Sequence, residues 1–416
     1  MLILTALLLV VLVLRRVYKS WSHSMPLDPY LTILIPSLII LVVPALFVEG
    51  SDLNWVAITG IWTVCIISFL NPKSFRTPFK FHTRISARTA GILLNTLGGL
   101  HFILICMPAV EAIGTHGVSG IFQRDRLSDY FDGGMTSSGA VGTLRLISEM
   151  AFYVKLGQIF YKRHYVMFAC LVFSYVGSLS VYANTRLSLV LPLIAVGCFY
   201  CYVRRLRSAA ILSLLVSALI LLPWYIFTTN AIRHGVEPTF EVGAVVADVA
   251  LQEIDYNKYL RHATEYTRVK DFEYGYGWFI GSLGNVVPRF IWQDKPVTST
   301  SNRFTTLVTG EEPSLLNPVM TFTIYGEGYL QFGLVGVVLE TVFVLFIFSK
   351  LFHSYMRAPG GGGALAAFNL LTWSLIFFRA EFPFIQIIFA TLTLWILNSS
   401  LASPALTGRN VLLMRA

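Results

Sequence analysis

The chain has 416 residues, 55% of them apolar and only 13% charged, with a mean hydropathy of +0.68. A soluble domain of this size carries more charge to cover its surface, so the composition is that of a multi-span membrane protein. The formal charge of +9 does not point to nucleic acid, because the basic excess is sorted by membrane side.

Apolar runs long enough to span occur at about 1–17, 30–48, 54–70, 89–109, 137–160, 165–182, 187–203, 208–228, 329–349, 363–378 and 384–400. These predict an all-α polytopic fold of about eleven transmembrane helices, in three regions: 1–228, an outer loop at 229–328, and 329–416. Arg15 and Arg16 follow the first run instead of preceding it, so that run is expected to be an anchor and not a cleaved signal peptide. Every second connection is basic. Arg15, Arg16 and Lys19 come first, then Lys73, Arg76, Lys80, Arg84 and Arg88, then Lys162 and Arg163. Arg204, Arg205 and Arg207 follow, then Lys350 and Arg357, then Arg409 and Arg415, and Asp28 is the single acid in these connections. That side is expected to be cytoplasmic, with the N-terminus outside and the C-terminus inside. Ala358–Gly363 reads as a flexible cytoplasmic linker. The five cysteines (Cys65, Cys106, Cys170, Cys198, Cys201) all fall in apolar segments with no C-x-x-C pair. Neither a disulfide framework nor a zinc site is expected from them.

The opposite face carries two long links. The first, 110–136, contains Arg124, Asp125 and Arg126. The second, 229–328, is too long to be structureless in a compact protein and should hold elements of its own. Residues 241–270 space apolar and aromatic side chains at three and four, as a helix lying on the outer surface would. Pro288, Pro296, Pro313 and Pro318 then punctuate an irregular region. Between Gly275 and Gly310 the bases Arg289, Lys295 and Arg303 stand against Asp294 alone, among Tyr274, Tyr276, Trp278, Phe290 and Trp292. An interfacial belt with snorkelling cations would account for the aromatics. It does not account for the Pro and Gly turn chemistry around the bases, which suits a site for a sugar and a phosphate.

Other charges are expected on the same side. Arg186 begins span seven, and Arg379 and Glu381 form the turn between spans ten and eleven. Arg145 and Glu149 lie inside span five, one helical turn apart on one face, as an ion pair or as groups facing a pathway. Lys155 suits a snorkelling role. Glu327, in YGEGYLQFG at the mouth of span nine, is the leading candidate for an acid or base, and His262 is a second. No H-x-x-x-H pair, outward carboxylate pair, G-x-S-x-G or P-loop occurs, so no metal and no cofactor are expected.

Pro288–Pro296 (PRFIWQDKP) resembles the PR-x-x-W-P-D-K-P stretch of bacterial O-antigen and exopolysaccharide repeat-unit polymerases, the Wzy family. Gly326–Gly333 (GEGYLQFG) is similar to that family's G-E-x-Y-x-N-F-G, and Phe272–Gly277 (FEYGYG) to its approach to the loop. Gln293 stands where proline is common and Gln331 where asparagine is common. The resemblance implies a GT-C-like glycosyltransferase with a large periplasmic loop between spans eight and nine, in the bacterial inner membrane. Its substrates would be undecaprenyl-pyrophosphate-linked oligosaccharides, joined without a cofactor, with a chain-length regulator and a flippase as partners. On that reading Arg289 and Lys295 act catalytically on the pyrophosphate with Glu327 as base. Arg303, Arg186, Arg379 and Arg145 bind the pyrophosphate, and Tyr276, Trp278 and Trp292 stack on sugar. The rival readings are an O-antigen ligase, a transporter or flippase of the same lipids, and a structural partner in a polysaccharide assembly complex.

Overall fold

The structure is a computed structural model that describes residues 1–22, 25, 27–48, 50–81, 85–123, 139–183, 186–206, 255–281, 292, 304–306, 310, 323–358, 362–379 and 384–400. It is all-helical, 83% helix with no strand among these residues. The helices are α1 (Leu2–Ser22), α2 (Leu31–Phe47), α3 (Trp55–Leu70), α4 (Ala87–Gln123), α5 (Gly139–Tyr161) and α6 (Tyr165–Ala183). They continue as α7 (Arg186–Val203), α8 (Asn257–Val269), α9 (Ile324–Met356), α10 (Gly363–Arg379) and α11 (Phe384–Ser400). Ala87–Glu111 within α4, and α9, are long and apolar enough to cross a membrane; α2, α3 and stretches of α6, α7, α10 and α11 are shorter apolar helices. The predicted span at 208–228 lies outside the described residues.

Most bounds follow the apolar runs, with two informative differences. α4 runs on to Gln123, through residues expected to open the first outer link. Glycines at 114, 117 and 120 do not stop it, since each costs a helix only about 1 kcal/mol. The surface helix spans Asn257–Val269, and the earlier part of its predicted range, 241–254, lies outside the described residues.

Connections of like predicted side meet in space. At one end Arg16 on α1 donates through Nε to Ser68 Oγ at 2.9 Å and through Nη2 to the Ser68 carbonyl. Its guanidinium also lies 3.9 Å from Asp28 Oδ2 and 4.0 Å from the Tyr30 ring centroid. Asp28 in turn starts α2, accepting from the amides of Tyr30 (2.9 Å) and Leu31 (3.0 Å). Phe79 of the next connection donates its amide to Ser354 Oγ near the end of α9, at 2.8 Å.

At the other end α8 is docked on a defect in α2. Residues Leu38–Val42 form a π-helical turn, and Pro44 follows. In a regular helix the amide of residue 44 would satisfy the Ile40 carbonyl, but proline has none. Tyr256 N–H takes that carbonyl at 3.2 Å, and Asn257 Nδ2 takes the Leu41 carbonyl at 2.8 Å. Ser51 donates to Asp255 Oδ1 at 2.9 Å and Arg261 Nη1 to the Gly50 carbonyl at 2.6 Å, which completes the seat. Ala263 of α8 then packs on Phe304 and Leu330.

Removing one member of a buried ion pair strands the other. Asp28→Ala, which also uncaps α2, is expected to destabilise the fold by on the order of 3 kcal/mol, read as a lower unfolding midpoint in detergent.

Candidate functional site at the break in α9

α9 is two helices joined across a break. Phe332 (φ −146°, ψ 27°) and Gly333 (φ 62°, ψ −149°) leave the helical region, and Gly333 occupies a conformation open essentially to glycine alone. The break folds the helix back on itself. A straight helix would hold Gly328 and Gly336 about 12 Å apart. Instead a Cβ built on Gly328 would lie 2.7 Å from the Gly336 carbonyl oxygen, so neither position admits a side chain. The outer half-helix is tied to the bundle by Tyr325, whose hydroxyl meets Ser37 Oγ at 2.9 Å and whose ring packs on Gly60.

Breaking a helix releases carbonyls, and a segment of the long loop takes them. Glu273 N–H donates to the Leu330 carbonyl at 2.9 Å and Tyr274 N–H to the Gln331 carbonyl at 3.0 Å. Tyr274 and Gly275 both take positive φ (49° and 87°), which turns the chain over the break. The Gln331 side chain fastens both ends of that turn. Its Nε2 donates to Glu273 Oε2 at 2.7 Å, and its Oε1 accepts from Gly277 N–H at 3.2 Å. The π-helical turn Gly277–Gly281 then delivers Trp278 onto the Phe332 ring, with centroids 5.4 Å apart.

Two carboxylates lie beneath. Trp278 Nε1 donates to Glu340 Oε2 at 3.3 Å, while Glu340 Oε1 is buried with no hydrogen-bond partner among the described residues. Glu327, on the other half-helix, is 1% exposed like Glu340. Tyr274, Tyr276 and Phe279 are exposed and form an aromatic outer surface above them.

Of the predicted site residues, Glu327, Trp278 and Tyr276 gather at this break. Glu327 is enclosed, not standing at an open mouth as its position beside the span suggested. Trp292 is half-buried. Arg289, Lys295 and Arg303 lie outside the described residues, although Phe304 next to Arg303 is anchored beside α8. Arg186 begins α7 and Arg379 ends α10, with side chains outside the described set. Arg145 is half-buried on α5. His262 pairs with Glu265 at 3.5 Å on the solvent side of α8, and Lys155 donates to Gln158 Oε1 at 3.0 Å. Glu340 was legible as a lone acid in an apolar span, a placement that marks function by default, yet the motifs did not single it out. Among the described residues no three His, Cys, Asp or Glu side chains converge as a metal site requires.

Relative heights follow from chain register. α9 and α10 form an antiparallel pair closed where Gly363 packs on the Tyr355 carbonyl. Glu340 and Arg379 each stand about 23 Å along their helices from that closure, so they share a level in the bundle.

Gln331→Ala would release Gly277 N–H and the Glu273 carboxylate together. The turn is expected to open about tenfold more often, read as faster tryptic cleavage at the exposed Arg268 and Lys270 in detergent.

Comparison with protein-family models, with curated proteins and with solved structures returns no match.

Proposed function

We propose that this chain is a membrane glycosyltransferase that polymerises lipid-linked oligosaccharide repeat units, with its site at the α9 break and the 274–304 stretch. The observation that supports it most is the meeting of two distant stretches. Phe272–Gly277 and Gly326–Gly333, which both carry the sequence resemblance, are bound to each other through Gln331 and by main-chain bonds. In this reading the chain crosses the bacterial inner membrane about eleven times, with 229–328 in the periplasm between spans eight and nine. Its N-terminus is periplasmic and its C-terminus cytoplasmic.

The donor is an undecaprenyl-pyrophosphate-linked oligosaccharide and the acceptor a hydroxyl of a second lipid-linked glycan. The hydroxyl oxygen attacks the anomeric carbon and the bond from that carbon to the pyrophosphate breaks. The electron pair leaves with undecaprenyl pyrophosphate, and the hydroxyl proton passes to Glu327. Arg289, Lys295 and Arg303 counter the charge that develops on the leaving group, with Arg186, Arg379 and Arg145 from the bundle. Tyr276, Trp278 and Trp292 supply faces for sugar rings. Because Glu327 is enclosed, the acceptor reaches it when the 273–278 turn lifts from the break, and Gln331 and Glu340 are the two fastenings that must yield.

The broken helix also favours a second reading. Discontinuous spans with buried carboxylates are used by transporters, where half-helix ends face the cargo. A flippase of the same lipid-linked saccharides would share the binding groups and lack the transfer step.

The purified protein, given its lipid-linked repeat unit in the presence of chelator, is expected to form a ladder of longer lipid-linked glycans. Arg289→Ala should abolish the ladder, and Glu327→Gln should lower kcat by about 10²–10⁴-fold, the usual share of a general base. Movement of the lipid across proteoliposomes without any ladder would instead establish the transporter.

A further inference from the structure

The end of the bundle that holds the Arg16 knot gathers more cations than the knot itself uses. α3 stops at Leu70 because Asn71 takes a positive φ (48°) and Pro72 has no amide to extend the helical ladder. The chain then makes a short helical turn, Lys73–Arg76, whose buried Phe75 sets its ring edge-on to Phe346 of α9 at 5.2 Å. That anchor holds the turn in place, and Arg76 at its end donates through Nε to Asn71 Oδ1 at 2.8 Å. From α1, Arg16 reaches Ser68, and Arg15 lays its guanidinium over the Phe69 ring, 5.2 Å from the centroid. Three guanidinium groups are therefore fastened to the end of one helix.

The negative charge nearby is too small to balance them. Lys19 follows Arg15 by one turn of α1, and the charges of Arg76, Arg16 and Arg15 each act on it more strongly than that of Asp28. Asp28 is the single acid in the connections of this side. Its oxygens already accept from the Tyr30 and Leu31 amides and from Ser20 Oγ at 3.0 Å while facing Arg16. The C-terminus of α3 adds roughly half a negative charge. Snorkelling explains why cations lie at this depth, but it would send each one separately into water. Here they converge.

They converge on an apolar surface. Leu14 and Tyr18 of α1 and Phe69 and Leu70 of α3 are all exposed beside Arg15. A small anion from water needs only the cations. Apolar side chains next to them suit a ligand with an anionic head and hydrocarbon tails. The planar fork of arginine matches phosphate oxygens. In the proposed orientation this end meets the cytoplasmic leaflet, where anionic lipids attract such clusters.

We propose that this end of α1 and α3 is a binding site for an anionic phospholipid, with Arg15, Arg76 and Lys19 receiving its phosphate and Leu14, Phe69 and Leu70 its acyl chains. Arg16 stays in the knot and fixes the heights of α1 and α3 around the site. The site does not depend on the polymerase reading, which concerns the break in α9.

The test titrates the full chain in neutral detergent with phosphatidylglycerol and, separately, with phosphatidylcholine of the same chain length, reading retained lipid by native mass spectrometry. Phosphatidylglycerol is expected to bind about tenfold more tightly, with the advantage shrinking as salt is raised. Arg15→Gln and Arg76→Gln should each weaken it about fivefold, the share of one basic residue at an anionic surface, and together about twentyfold. Arg76→Lys keeps the charge and loses the Asn71 bond, so it should retain most of the affinity. Arg204→Gln removes the same charge from an exposed position after α7 and should change nothing. An equal loss in Arg204→Gln means diffuse surface charge and overturns the site. So does equal affinity for phosphatidylcholine, an Arg76→Lys variant as weak as Arg76→Gln, or wild-type affinity in the double Arg15→Gln, Arg76→Gln variant. Inorganic phosphate at matched concentration is expected to leave the lipid bound; displacement by it makes the ligand a free anion, and the lipid assignment falls.

Discussion

A helix buried in an apolar bundle must satisfy every peptide group, because no water is at hand to do so. The break at Phe332–Gly333 violates that rule at the carbonyls of Leu330 and Gln331, and the architecture of the site is the answer to the violation. The amides of Glu273 and Tyr274 come in from the long loop, the Gln331 amide closes over them, and Trp278 is left with its indole against Phe332 and Glu340. A straight α9 would keep Glu327 and Glu340 on a continuous rod more than three turns apart along the axis. The fold-back at Gly328 and Gly336 is what sets the two half-helices that carry these carboxyl groups against each other. The glycines of YGEGYLQFGLVG are thus spent on close approach and on one left-handed residue, and the chemistry is carried by the few polar side chains between them.

The rest of the bundle supplies rigid placement. Tyr325 locks the outer half-helix to α2 and α3, and the Arg16–Asp28–Ser68 knot ties the opposite end of the same helices together. α5 and α10 are joined by Glu149, Asn369 and Trp373, and α10 is joined to α9 at their shared closure. Cations on α5 and α10 and carboxylates on α9 therefore keep fixed heights relative to one another. The chemistry under proposal needs a sugar-facing carboxylate and phosphate-facing cations at one depth, so this registry matters more than any single contact.

Helix positions were legible in the sequence because an apolar run records its own length, and α3, α6, α10 and α11 match their runs to within a residue or so. The end of α4 was not legible, since weak helix breakers do not mark a stop when no proline follows. In the site, Trp278 and Glu327 were visible through their motif surroundings. Glu340 and Glu149 mattered through partners far away in sequence, and composition carries no trace of a bond such as Trp278 to Glu340 or Trp373 to Glu149. Gln331 stands out in the sequence only as a departure from a pattern. Its extra methylene lets one amide span both Glu273 and Gly277, which a bare motif cannot reveal.

The outer segment hangs from the bundle at two helix defects, one made by Pro44 in α2 and one by Gly333 in α9, and at both a main-chain amide takes a freed carbonyl while one amide side chain, Asn257 or Gln331, completes the joint. Main-chain bonds do not depend on which side chain a position carries. A site suspended in this way stores its geometry in the location of one proline and one glycine, leaving most surrounding positions free to vary without loss of shape. Such a scaffold can be rewritten residue by residue while its architecture persists, and likeness between two chains built on it would fade from their sequences long before it faded from their backbones.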